Sequence, residues 1–238
     1  MIILDASGSM GLKIDGQTRM EAAKNAIRGY VNSIGTDVKL GLFVYGHKGS
    51  NLTSDKPLSC AGAEQVAPIG QVSLTTIDGY LATIKPTGWT PMGLAIRNAA
   101  NSFSISQDQY NEIILVTDGD ETCDSNPIGA AREIYASSVK VKVNVIGFAV
   151  SAAEQNTLSG IALAGGGSFS VASNSQELIN KLDELRDNLS KIGVEVKCRA
   201  EADTNFINCY SNVNRKVGDY VFELKRGFYK KEISKDEY

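Results

Sequence analysis

The sequence predicts an α/β fold, an open, mostly parallel sheet of Rossmann-like type with helices on both faces, followed by a small β-rich C-terminal extension. Three observations carry this. Apolar runs of strand length alternate with stretches of helical period, the runs are apolar at nearly every position as in strands buried on both faces, and beyond about residue 192 the helical period gives way to alternation. A chain of 238 residues that is 42% hydrophobic and 21% charged can bury one such core and carry an appendage.

The strands are read at "IILD" (2–5), "VKLGLFVYG" (38–46), "NEIILVTD" (111–118), "VKVNVIGFAV" (141–150) and "GSFSVA" (167–172). Between them "TRMEAAKNAIRGYVNSI" (18–34), "TTIDGYLATI" (75–84), "PMGLAIRNAANSF" (91–103), "NPIGAAREIYAS" (126–137) and "SQELINKLDELRDNLSKI" (175–192) repeat apolar residues at i, i+3 and i+4 and are read as amphipathic helices. Thr90 before Pro91, and Asn126 before Pro127, read as N-caps with proline at the first helical position. "LAGGGSF" (163–169) lacks the lysine of a phosphate loop and precedes a strand, so it reads as a tight turn. The chain thus divides into a domain over 1–192 and an extension over 193–238, where "VEVKCRAEADTNFINCYSNV" and "GDYVFELKRGFYKKEI" are strand-like and the lysines read as a solvated edge.

A net charge of -3 offers no broad basic surface, which argues against nucleic acid as a partner. No window approaches the roughly 20 apolar residues of a membrane-spanning helix. Because the first strand follows Met1 directly, without a signal segment, we expect the natural precursor to begin earlier. The four cysteines, Cys60, Cys123, Cys198 and Cys209, contain no CxxC pair, so structural zinc is disfavoured. Their even number points to disulfides, with four reduced thiols as the alternative, and the turn-like spacing from Cys198 to Cys209 suits a bridge across a hairpin. Bridged cysteines imply an extracytoplasmic location: periplasm, cell surface or medium.

Ligands of an open parallel sheet sit beyond the carboxyl ends of its strands. Three loops qualify: "DASGS" after the first strand, with Asp5, Ser7 and Ser9; "DGDETC", with Asp118; and "PTGWTP", with Thr90. Two carboxylates and three hydroxyls on one point suit a hard cation, since Mg2+ takes about six oxygen ligands at roughly 2.1 Å and tolerates water among them. Zinc or copper would find neither sulfur nor imidazole there. As polar caps alone the same residues would serve a strand-to-helix turn, which leaves the distant Thr90 and Asp118 unexplained.

"DASGS" with Thr90 and Asp118 resembles the metal-ion-dependent adhesion site of von Willebrand factor type A domains, written DxSxS with a distant Thr and Asp. The match holds at all five positions, and the resemblance covers roughly residues 1 to 190. "TRMEAAK", "YGHK", "TPMGLAI" and "TDGDETC" look most like bacterial members. The resemblance implies that Ser7, Ser9 and, in the ligand-ready state, Thr90 bind Mg2+ (alternatively Ca2+ or Mn2+) through their hydroxyls, with Asp5 and Asp118 acting through water. It also implies a protein partner that supplies an Asp or Glu carboxylate to the open position, and it places Cys60 and Cys123 on the rim of the site, where a disulfide between them would rigidify it.

Trp89 is read as a rim contact or a packed loop anchor, and Asp120 as a rim residue. Asp120, Glu121 and Asp124 read as a solvated acidic loop before a second cation position. His47, the lone histidine, reads as structural or rim, since neither nucleophile nor orienting partner is evident. The function expected is therefore metal-dependent protein binding and not catalysis. The alternatives are an accessory subunit of an ATPase-coupled chelatase or secretion machine, and a Mg2+-dependent phosphohydrolase with Asp5 as nucleophile. The last calls for DxD at the first strand, where this chain has Ser7.

Overall fold

Strand β1, Ile2–Asp5, is buried at every position, and everything else in the fold is arranged around it. It pairs in parallel with β4, Leu40–Tyr45, on one side and with β6, Glu112–Thr117, on the other. In the computed structural model of the chain, which describes residues 1–35, 38–104 and 110–200 and side chains as far as residue 188, β5 (Glu64–Gly70), β7 (Lys142–Phe148) and β8 (Gly166–Ala172) complete a sheet. Its six strands run in the order β5-β4-β1-β6-β7-β8, all parallel except the edge strand β5. A two-residue hairpin of β2 (Lys13–Ile14) and β3 (Gln17–Thr18) stands apart from it.

Alternation along β1 divides the core in two. Ile2 and Leu4 face α1 (Arg19–Ser33), α3 (Leu74–Thr83) and the Leu178, Leu182 and Leu185 stripe of α7 (Ser175–Ala200). Ile3 faces the other way with Leu115 and Val145, against α4 (Met92–Ala100), α5 (Pro127–Ala136) and α6 (Ala152–Ala164). Helices therefore cover both faces of the sheet, as the two-sided apolar character of the strands requires.

Several expected elements shift. β5 is an additional strand, with Pro68 exposed on an edge where its missing N–H costs no ladder bond. α6 and the short α2, Lys56–Cys60, are additional helices, and α6 opens on a capping box between Ser151 and Glu154. Asn126 caps α5 as expected, its side chain accepting from the Gly129 N–H at 3.0 Å. Thr90 does not cap α4: Pro91 holds that position, without a side-chain cap.

The contacts divide the chain into Met1–Arg186 and Asp187–Tyr238. The expected β-rich extension does not begin at 193, because α7 runs on to Ala200. The sequence spacing Leu185, Leu189, Ile192, Val196 keeps to helical period through the stretch whose V-E-V alternation reads as strand. The β-rich reading of 201–238 lies outside the described residues, as does Cys209 of the expected Cys198–Cys209 bridge. Among the described residues no helix is long and apolar enough to cross a membrane.

Leu115 is fully buried in the middle of β6. Leu115→Ala should lower unfolding stability by about 2–5 kcal/mol in urea titration, because its neighbours cannot close the cavity. Leu163→Ala, at a position 82% exposed, should stay within about 0.5 kcal/mol of the parent.

Candidate metal centre

The site forms where β1 and β6 end side by side. Register pairs Leu4 with Val116, so the next residues, Asp5 and Thr117, lie adjacent, and the Thr117 hydroxyl donates to Asp5 Oδ2 at 2.6 Å. Asp5 Oδ1 accepts from the Ser7 N–H at 2.7 Å. Both oxygens of Asp5 are thus engaged by the chain itself, which keeps the carboxylate behind the serines as fixed negative charge.

The remaining groups form a hydrogen-bonded row. Ser7 Oγ and Ser9 Oγ lie 3.0 Å apart, and the Ser9 hydroxyl donates to Asp118 Oδ1 at 2.6 Å. Asp118 Oδ2 accepts from the Arg19 guanidinium at 2.8 Å. Asp5, Ser7, Thr90 and Asp118 are all buried. Burial, and next the charge of Asp5, pushes the Asp118 carboxyl up to about 6, against the pull of its bonds to Ser9 and Arg19. Burial raises Asp5 as well, against the bonds from Thr117 and Ser7. Two carboxylates so close and so dry make an unfavourable pair that a divalent cation relieves.

Two further loops are laced onto this row. Gly8 N–H donates to Gly88 O at 2.9 Å and Thr87 N–H to Ala6 O at 3.0 Å, joining the Thr90 loop to the serine loop. The Thr90 N–H donates to Thr122 Oγ1 at 2.8 Å and the Thr122 N–H to Thr90 O at 3.2 Å, joining it to the loop after β6. Close approach here demands glycine. A Cβ on Gly46, whose φ is +73, would stand 2.5 Å from Ser7 N, and one on Gly88 would stand 2.1 Å from Ser59 Oγ.

The Cys60–Cys123 disulfide spans 5.5 Å between Cα atoms and ties α2 to the loop after β6. Trp89 is half-buried and anchored: its N–H donates to Ser59 Oγ at 2.7 Å, its indole to Leu52 O at 3.3 Å, and Lys56 Nζ lies 4.6 Å from the ring centroid. His47 pairs through Nε2 with Glu64 at 2.8 Å. Asp120 is exposed on the rim. Glu121 spends its carboxylate on Cys123 N–H, Ser125 and Gly93 N–H, so it holds its own loop together.

Every residue of the expected donor set lies in these interlocked loops. The set holds oxygen only and fits a hard divalent cation, with Ser7 and Ser9 the hydroxyls positioned to hold it and Thr90 on the adjoining loop. Among the described residues no group of three His, Cys, Asp or Glu side chains forms a competing metal site. Sequence reasoning missed Thr117, Thr122, Ser59 and the role of Arg19. Thr117 precedes Asp118 but meets Asp5 only through strand register, and Thr122, Ser59 and Arg19 reach the site loops only in space, although Arg19 stands in the quoted "TRMEAAK".

Fold and site together define an α/β domain with an oxygen-rich site at the carboxyl edge of its sheet. The model of the von Willebrand factor type A domain matches residues 1–121, and the chain belongs to that family. It is 33% identical over 177 residues to the uncharacterized protein YwmD of Bacillus subtilis (strain 168), covering 74% of this chain and 79% of that one. It is 37% identical over 171 residues to YwmC of the same strain, covering 71% and 74%. Among solved structures the fold is shared with an aerotolerance-related membrane protein from Bacteroides fragilis NCTC 9343, with TM-score 0.61 and 23% identity over 79% of this chain and 97% of that one. The pilus adhesin SpaC from Lactobacillus rhamnosus GG gives TM-score 0.63 at 15% identity, over 80% of this chain and 30% of its own. Proximal thread matrix protein 1 from the mussel byssus, solved with a zinc-occupied MIDAS motif, gives 0.58 at 18%, over 78% and 46%.

Gly46→Ala should cost about 1–3 kcal/mol in thermal or chemical unfolding, because it combines an unfavourable φ with a backbone clash at Ser7. The double variant Cys60→Ser/Cys123→Ser should lose about 2–4 kcal/mol by the same measurement, and dithiothreitol should reproduce that loss in the parent alone.

Proposed function

We propose that this chain is a metal-dependent protein-binding module, in which a divalent cation held by Ser7, Ser9 and Thr90, with Asp5 and Asp118 behind them, captures an Asp or Glu carboxylate of a protein partner. The observation that carries this reading is the row from Ser7 through Ser9 to Asp118, backed by Asp5 and stitched to the Thr90 loop. Mg2+ is the cation the all-oxygen set suits best, with Ca2+ and Mn2+ as alternatives. When bound, the ion supplies positive charge at the head of the sheet and an open position for an anionic oxygen.

The reading is binding and not turnover, and the engagement of Asp5 supports it. A nucleophilic carboxylate needs a free oxygen directed at substrate, whereas both of these accept hydrogen bonds from within the site. The fold shared with an adhesin, and with a protein whose MIDAS motif takes zinc, supports an adhesion-type role. The disulfide, together with the fold shared with a membrane protein, supports a place outside the cytoplasm.

Calorimetry should give one saturable Mg2+ site in the parent, abolished by chelator. Asp118→Ala should weaken it by about 10–100-fold, the range seen when a group behind a metal's direct ligands is removed. Thr90→Ala should fold normally and lose chelator-sensitive capture of partner. Superimposable isotherms for the parent and Asp118→Ala would sink the reading.

A further inference from the structure

Arg19 is the first residue of α1, placed there by the Thr18 N-cap and its capping box with Glu21, and by its own N–H donating to Leu12 O at 2.8 Å. Its side chain is 19% exposed, while that of Asp118, to which it pairs at 2.8 Å, is fully buried. Among the described residues Asp118 is the one hydrogen-bond partner of the guanidinium, and Nε is buried with none. An arginine has five N–H donors in a rigid fork. This one leaves a buried donor empty, so the charge of Asp118, and no network of its own, holds it in the site.

We propose that Arg19 determines what the site accepts: it is a resident cation that opposes the divalent ion and, once the ion is bound, leaves the centre with a net positive charge that selects an anionic ligand. The inference rests on the metal-dependent reading above and deepens it. The buried Asp5 and Asp118 against the partly buried Arg19 leave one net negative charge among these three groups. A divalent ion turns that into one net positive charge, and one carboxylate from a partner brings the centre to neutrality. Without Arg19 the two aspartates would neutralise the ion by themselves and a neutral oxygen, such as water, would suffice at the open position. Poorly screened charges this close shift each other's binding strongly, so Arg19 exchanges affinity for the ion against affinity for the anion.

The test uses Mn2+ as the ion and acetate as the anion, on the full chain. Calorimetry reads Mn2+ affinity, and water-proton relaxation reads displacement of Mn2+-bound water by acetate. Arg19→Gln should bind Mn2+ about tenfold more tightly and respond to acetate at a several-fold higher concentration. Arg19→Lys, which keeps the charge, should remain near the parent in both readouts. Arg19→Met gives the same reading as Arg19→Gln should the latter fail to fold. A merely structural arginine would instead weaken Mn2+ binding in every variant. Equal or weaker Mn2+ binding in Arg19→Gln, or an Arg19→Lys variant that behaves like it, overturns the role of Arg19 alone. Absence of saturable Mn2+ binding in the parent overturns this proposal together with the metal-dependent reading.

Discussion

Two carboxylates, Asp5 and Asp118, are held in the dry interior at the ends of adjacent parallel strands, and the rest of the site is organised around that opposition. Their neighbours act to offset it. Thr117 and the Ser7 N–H saturate Asp5, while Ser9 and Arg19 saturate Asp118. Burying a charge without partners is costly, and four donors on two carboxylates are what make the arrangement tolerable. Two of those donors are hydroxyls and one is a backbone N–H, so Arg19 alone brings a cation to the pair, which leaves these groups still short of positive charge.

The sheet makes this arrangement stiff. β1 lies in the centre with ladder bonds on both sides, so Asp5 moves only if β4 and β6 move with it. Above the strand ends three loops interlock through backbone bonds at Gly8, Thr87 and Gly88, and glycine at positions 46 and 88 allows main chain to approach main chain without a Cβ between. The disulfide then fixes the outer edge of the same loops. Ser7, Ser9 and Thr90 each carry a rotatable hydroxyl, and their placement takes its definition from backbone bonds of this kind.

The convergence of the loops that carry Asp5, Ser7, Ser9, Thr90 and Asp118 was legible because its signals are local or framed by strong strands. Asp5, Ser7 and Ser9 alternate directly after an apolar run, and Asp118 follows the apolar run Ile113–Val116 of β6 by two residues. Arg19 and Thr117 could not be read in the same way, since what brings them to the aspartates is parallel register and the entry angle of a helix. In the fold, β5 escaped because an edge strand with Pro68 and polar alternates lacks the two-sided apolar character of its neighbours. α6 escaped although Ser151 and Glu154 mark its start, its apolar residues being too dispersed to make a clear stripe. The helix through 193–200 shows the reverse error: a short alternation at Val194 and Val196 outweighed a helical period that began twenty residues earlier.

The Cys60–Cys123 bridge has a topological consequence. Its loop encloses β5, α3, α4 and β6, and with them Thr90 and Asp118. A single backbone cut anywhere between those cysteines leaves both fragments covalently one molecule. Hydrolytic damage in that span therefore does not release a piece of the protein, which is an advantage wherever proteases are abundant and replacement is slow.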